Sequence, residues 1–527
     1  VMHRLFYNQI VIVIARTIVM LIMFLLIVIV HAHGFVLVGK QKRIVMIFEI
    51  HAEKNSNDIK TLYYDNENGI LKDNNGFVYE YPQIQKPIMV ETVPFSKDQP
   101  LKKSKNINTI KIQLGLSCNY TCDYCSQRFV ERPPETSKKD IEEFMNKLNV
   151  LNFSEERGLT VEFWGGEPLV YWKTLKPLAE AFAEKFSHWN KKIKFGMVTN
   201  GSLLTREKCS WLYYMGFSVG ISHDGPGQYV RGPDPFDDPE LKKTILEFYK
   251  IMSSQNRISF NAMMNNKNTS RRAIYDYFVN LTGDPKVVIG EGGFIDAYDD
   301  AAVNNSLITL SEQFDYRRKS FNDIYSTSNT INFSVTYEKL DSFIKSTLTH
   351  IESKYVGQKC GMENPNTVAL DLKGNIVTCQ NVSIVENSKN GEPHHGGNLD
   401  DYDNVALKSV THWKSRKNEI SCADCPVLHI CKGSCMYLDG KHWDVTCDNA
   451  YSDAIALFSL AIERITEGYI PITIKGEGLP LSRQDIWGTV YKHEERQTKK
   501  IIPIKVVAEK AKEFDGVQVY EKARVEI

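Results

Sequence analysis

The stretch Thr109-Ile-Lys-Ile-Gln-Leu-Gly-Leu-Ser-Cys118-Asn-Tyr-Thr-Cys122-Asp-Tyr-Cys125 leads from a strand-like segment straight into a loop carrying three cysteines. Outward from it, short apolar segments alternate with amphipathic helical ones. Strands are expected near Thr109–Leu116, Leu159–Trp164, Ile193–Thr199, Phe217–Ser222, Ile258–Met264 and Lys286–Phe294. Helices are expected near Lys138–Leu148, Thr174–Trp189, Arg206–Met215, Pro239–Ser253 and Arg271–Leu281. Repeated βα units build an α/β fold around a parallel sheet, and six of them are too few to close a full barrel. In such folds the chemistry gathers at the C-terminal ends of the strands, where the cysteine loop lies.

The composition, 42% hydrophobic and 24% charged over 527 residues, is that of a globular chain with room for several domains. Lys plus Arg equals Asp plus Glu at 64 each, so no basic excess points to nucleic acid as a partner. Of 11 cysteines, only Cys209 stands apart from a short-spaced group. That clustering suggests metal ligation, and a chain with this much apolar sequence has no need of a secreted disulfide scaffold. A reducing, cytoplasmic setting is therefore expected.

Residues 1–45 break the pattern. Thr17–Val30, followed after His31-Ala32-His33 by Gly34–Gly39, reads as a signal anchor or a membrane helix, though its unbroken apolar core is short for a span. The preferred reading is an untranslated segment, with Arg43 encoded in a purine-rich ribosome-binding site and translation starting at Met46. If residues 1–45 are translated, any membrane contact is expected from them alone. Residues 46–105 form a small β-rich domain with runs at Ile47–Ile50, Thr61–Tyr64 and Phe77–Tyr81 and turns such as Asn75-Gly76. Further boundaries are placed after 330, where the strand-helix alternation stops, and after 450, where a C-terminal segment contains a helix near Asp453–Thr466.

A structural zinc site wants four ligands, and the residues just after Cys125 supply neither a fourth Cys nor a nearby His. Iron-sulfur clusters accept thiolates from short loops of this sort. With Tyr124 before its last cysteine, the CxxxCxxC loop resembles the signature of the radical S-adenosylmethionine (SAM) superfamily. The resemblance implies a 4Fe-4S cluster on Cys118, Cys122 and Cys125 whose fourth iron chelates S-adenosyl-L-methionine, with 106–330 as a partial (βα)6 barrel. Gly165-Gly166-Glu167-Pro168, Thr199-Asn200-Gly201 and Ser222-His223-Asp224-Gly225-Pro226 resemble further elements of that family, each at an expected strand end. Carried over, the cofactor-binding set is Tyr124, Gly165, Gly166, Glu167, Pro168, Asn200, Ser222, Asp224 and Arg231. The Gly-Gly turn would let a carboxylate and carbonyls meet the cofactor's ammonium group. Ser222 and Arg231 would reach its carboxylate or ribose, although the spacing from Asp224 to Arg231 is shorter than the family's.

The later cysteines are Cys360, Cys379, Cys422, Cys425, Cys431, Cys435 and Cys447. Cys422-x2-Cys425 with a later pair also suits a zinc ribbon, and that reading stays open on spacing alone. The whole pattern, with four residues between Gly374 and Cys379, is similar to the seven-cysteine SPASM domain, placed at 331–450. That likeness implies two auxiliary 4Fe-4S clusters, for three in all. Cys360, Cys379 and Cys435 would hold the first, and Cys422, Cys425, Cys431 and Cys447 the second. Glu352–Gln358 contains no cysteine, so the first is left with three cysteine ligands. Cys209 reads as a small core residue, His394-His395 as an exposed turn, and His223 as a satisfied core histidine.

Enzymes resembling this arrangement either oxidise a sulfatase residue to formylglycine or crosslink, thioether-bridge or epimerise ribosomally made precursor peptides. Sulfatase maturases carry an Asp proton acceptor after the cysteine matching Cys379, and this chain has Gln380. An amide is no general base, which favours a precursor-peptide maturase with a reducing partner such as a flavodoxin or ferredoxin. A cluster or zinc protein that only binds a partner is the reading from another class.

Overall fold

The computed structural model describes residues 46–81, 102–326 apart from 129, and 333–488 apart from 363, 388–390, 392, 407–411, 415, 419 and 436. Four short strands between 505 and 526 are described by their backbone alone. The apolar segment within 1–45 lies outside the described residues. Among those described, no helix is long and apolar enough to cross a membrane.

Strands β1 (Ile47–Asn55), β2 (Asp58–Asp65) and β3 (Ile70–Asp73) open the described chain. The run expected at Phe77–Tyr81 is not a strand. Asp73 Oδ1 accepts from the amides of Asn75 (2.8 Å) and Phe77 (3.0 Å), Gly76 takes φ 84°, and the chain turns there, leaving a single bridge between Lys72 and Val78. The pairing strand is β3, immediately before that turn.

The main sheet begins with β4 (Thr109–Gln113), β5 (Thr160–Trp164), β6 (Lys194–Thr199), β7 (Phe217–Ser222), β8 (Ile258–Met264) and β9 (Ile289–Phe294), all paired in parallel and in sequence order. Helices α1 (Ile141–Lys147), α2 (Trp172–Lys185), α3 (Arg206–Tyr214), α4 (Pro239–Ser253) and α5 (Arg271–Thr282) connect them. Alternation explains the layers. Val161 and Phe163 of β5 are buried towards the helices, whereas Thr160, Glu162 and Trp164 line an open cavity of about 460 Å3 with Gly196, Ser218 and Asn261.

The sheet is larger than six strands. After α6 (Leu310–Tyr325) and α7 (Ser334–Leu348), strand β10 (Thr367–Asp371) pairs in parallel with β4, and β11 (Asn375–Val377) and β12 (His395–Asn398) extend that edge antiparallel. Sheet pairing thus crosses the boundary expected at 330. A second sheet joins segments far apart in the chain. Helix α8 (Gly440–Ile465) is followed by β13 (Ile470–Lys475), which pairs antiparallel with β1 over a shared core of Phe48, Ile50, Leu62, Ile455, Phe458 and Ile474. The α8 helix starts well before Asp453, capped by Asp439, whose side chain accepts from Gly440 N. Its first turns mix Lys441, Asp444 and Asp448 with buried Trp443, which hides the apolar period.

Candidate functional site

The three-cysteine loop leaves the C-terminal end of β4 and is held from three sides. Ser117 N donates to Tyr171 Oη (2.7 Å), Tyr120 Oη donates to the Pro233 carbonyl (2.7 Å), and Gly166 N and Glu167 N donate to the carbonyls of Gly115 and Ser117, both at 3.0 Å. The last two bonds weld the Gly165–Pro168 turn to the root of the loop. A Cβ on Gly166 would run into the Leu116 and Ser117 carbonyls, so only glycine allows this approach. Gly166→Ala is expected to push the loop outwards and lower the iron retained there, read as iron per chain after anaerobic reconstitution. Unchanged iron would show that the contact is dispensable.

Glu167 is 2% exposed, and its oxygens accept from Thr199 Oγ1 (2.6 Å), Asn200 N (2.7 Å) and Leu169 N (2.9 Å). Burial nevertheless pushes its pKa up. The carboxylate therefore ties the ends of β5 and β6 together. Asn200 continues the tie, its Nδ2 donating to Asn119 Oδ1 (2.9 Å) between the first two cysteines. Thr199, quoted from the sequence but given no role there, is part of the clamp.

Tyr124, Asp224 and Arg231 meet beneath the loop. Tyr124 Oη donates to Asp224 Oδ2, Arg231 Nη1 donates to Tyr124 Oη (2.9 Å), and Arg231 lies 3.6 Å from Asp224 Oδ1. Asp224 has no exposed surface and also accepts from Met263 N (2.9 Å). Asp224 thus holds Tyr124 and Arg231 from below. Ser222 lies half-buried at the end of β7. His223 is fully buried, 3.0 Å from Asp234 Oδ1 and stacked on Tyr277, a satisfied core histidine. Cys209 is 7% exposed on α3, its thiol pushed up to about 12 by burial.

Cys118 is exposed, and Cys122 and Cys125 are half-buried. Burial raises all three thiols; the charge of Cys125 adds to the rise at Cys118, and those of Cys118 and Cys125 add to the rise at Cys122. The structure brings the later cysteines together in two sets. Cys379 is pushed up to about 12 by burial and then by the proximity of Cys360 and Cys435. Its turn is strapped to the barrel by Gln113 of β4, whose Nε2 donates to the carbonyls of Gln380 (2.9 Å) and Val382 (2.8 Å). Cys422, Cys425, Cys431 and Cys447 line one small cavity with Trp443, Tyr451 and Arg483. Among the described residues, no three Cys, His, Asp or Glu side chains stand as ligands of a single metal ion. His394, expected on an exposed turn, is 7% exposed, its ring edge-on to Tyr437 and its pKa lowered to about 4 by burial.

These thiol sets fit iron-sulfur ligation in their chemistry. Several buried thiols that raise one another's pKa stay protonated unless a cationic centre takes their charge. Sequence reasoning missed Arg483, which comes from a short helix after β13 and carries no motif.

Residues 112–261 match the model of the Radical SAM superfamily. The chain is 23% identical over 394 residues to the radical SAM cyclopropyl synthase TigE of Paramaledivibacter caminithermalis, covering 70% of this chain and 75% of that one. It is 22% identical to a serine-type anaerobic sulfatase-maturating enzyme of Klebsiella aerogenes, over 61% of this chain and 78% of that one. The solved structure of anSMEcpe with bound AdoMet superposes with a TM-score of 0.50 at 19% identity, over 68% of this chain and 99% of that one, a likeness of fold.

Proposed function

We propose, from the premise that this chain is an enzyme of the radical SAM superfamily, that it modifies a ribosomally made precursor peptide by hydrogen abstraction, forming a crosslink or thioether or inverting a residue. When bound, a cluster on Cys118, Cys122 and Cys125 supplies the electron that cleaves S-adenosylmethionine, yielding the 5′-deoxyadenosyl radical that takes the hydrogen. The chain's own residues position and shield. Gly165 and Gly166 brace the loop, Glu167 and Asn200 lock the strand ends around it, and Tyr124 with Asp224 and Arg231 forms a buried polar floor.

The observation that carries the reading is the pairing of Gln380 with Cys379 at the mouth of the barrel, where Gln113 of β4 grips the Gln380 backbone. A sulfatase maturase would place an acid there, and an amide takes no proton. The relative that makes a cyclopropyl group supports chemistry that builds a new bond. Cys360, Cys379 and Cys435, and separately Cys422, Cys425, Cys431 and Cys447, would hold two auxiliary clusters, with a flavodoxin or ferredoxin as electron donor.

The test is anaerobic reconstitution with S-adenosylmethionine, a reductant and the precursor peptide encoded beside the gene. A mass loss of about 2 Da, or racemisation at unchanged mass, is expected in the peptide. 5′-Deoxyadenosine formed while every such peptide stays unchanged would count against the reading. Conversion of a sulfatase peptide to formylglycine would replace it with the sulfatase one.

A further inference from the structure

Arg483 is 3% exposed and enters the cavity of the four later cysteines from outside the cysteine-bearing segment. Its Nη2 donates to Cys447 Sγ (3.4 Å) and to Asp448 Oδ1 (2.9 Å). The guanidinium lies 4.6 Å from the centre of the Tyr451 ring, whose hydroxyl donates back to the Arg483 carbonyl (3.0 Å). Arg317 sits against the same ring at 5.2 Å. The side chain is thus fixed by the ring, the carboxylate and its own backbone, with one N–H on a sulfur. Arg416, stacked on Trp443 at 5.0 Å, adds a second cation near the set.

The three-cysteine set differs. Cys435 Sγ accepts from the neutral Tyr298 Oη at 3.2 Å. Of the cations near it, Lys359, which also faces Cys431, is tied to Asp296 at 3.1 and 3.2 Å, and Asp296 also accepts from Ser434 Oγ (3.0 Å); Lys111 lies towards Cys379 and Arg416 towards Cys435. Potentials of thiolate-held clusters follow net charge, hydrogen bonds to sulfur and exposure. A guanidinium stays charged at every working pH, and in a buried site its field is weakly screened.

We propose that Arg483 sets the reduction potential at the site formed by Cys422, Cys425, Cys431 and Cys447, raising it by placing a buried positive charge on the Cys447 sulfur. It acts through a ligand and touches no substrate, so it is a positioning residue. Asp448, whose side chain is 39% exposed, partly offsets that charge. The inference rests on the auxiliary-cluster reading given above.

The test is a potentiometric titration of the reconstituted full-length chain followed by electron paramagnetic resonance. Cys118, Cys122 and Cys125 are replaced by Ala to remove the first signal. Arg483→Gln should move one of the two remaining waves to more negative potential and leave the other in place, and Arg483→Lys should move it less. Asp448→Asn should move the same wave to more positive potential. If Arg483→Gln loses iron, Asp448→Asn decides alone. An unmoved wave, or equal shifts for Gln and Lys, would overturn the proposal. Should Cys447→Ala leave both the iron content and the spectrum unchanged, the cluster reading itself fails, which is a different result from an unmoved wave.

Discussion

Cys122→Ala is expected to remove about four irons per reconstituted chain and to take S-adenosylmethionine cleavage to background. Cys122 is the middle thiol of the loop, close enough to Cys118 and Cys125 for both to raise its pKa. The loop around it is anchored by backbone bonds to the Gly165–Pro168 turn that do not involve the thiol. The fold should therefore survive while the ligand set fails. Cys209→Ala is the matched control, because that thiol lies in the core behind the sheet and holds nothing at the strand ends. Iron analysis and chromatography of 5′-deoxyadenosine read both variants. Full iron and full cleavage in Cys122→Ala would remove the basis for placing the cluster on this loop.

The largest effect on stability is expected at Asp453. Its Oδ1 accepts from Arg271 Nη2 (2.7 Å) and Tyr316 Oη (2.8 Å), and Lys339 lies 3.9 Å from Oδ2. Arg271 is fully buried and also donates to Ser320 Oγ (2.6 Å) and Thr336 Oγ1 (3.2 Å), so one ion pair fastens α5 to α6, α7 and α8. Asp453→Ala leaves that guanidinium buried without its counter-ion, at a cost of about 3–5 kcal/mol. Denaturant unfolding of the full chain measures it, and a loss below about 1 kcal/mol would show that the pair is solvated in solution.

The same pair predicts an acid dependence. Burial pushes the Asp453 carboxyl up, but Arg271 and Lys339 outweigh it and hold the pKa at about 2. A carboxylate depressed in the folded state binds protons more readily when unfolded, where its pKa is about 3.9. Its contribution is whole above that value and disappears as pH falls through about 2. Wild type should therefore lose its advantage over Asp453→Ala across that window, and an advantage constant down to pH 2 would contradict the assignment.

Wherever the signal is local, the sequence alone told the story. The six strands from β4 to β9 lie within a few residues of their expected positions, because a half-buried strand between amphipathic helices writes its period into consecutive residues. The cysteine loop and the glycine, Asn200 and Ser222 elements fall at strand ends for the same reason. Local reading failed where a neighbour's chemistry overrode it. The Asp73–Phe77 turn consumed a strand-like run, polar residues masked the first turns of α8, and His394 was buried by packing against Tyr437.

By itself, then, the sequence determined the βα rhythm and the three-cysteine loop at the end of its first parallel strand, and by resemblance pointed to the chemistry proposed for that loop. Tertiary structure alone decided that β10 seals against β4 and β13 against β1, that Asp224 supports Tyr124 from below, and that Arg271 finds Asp453 across 182 positions. It alone also brought Arg483 onto Cys447. The reason is physical: a strand's period is set by backbone geometry between adjacent residues, whereas a buried charge is matched by whatever partner the packing delivers.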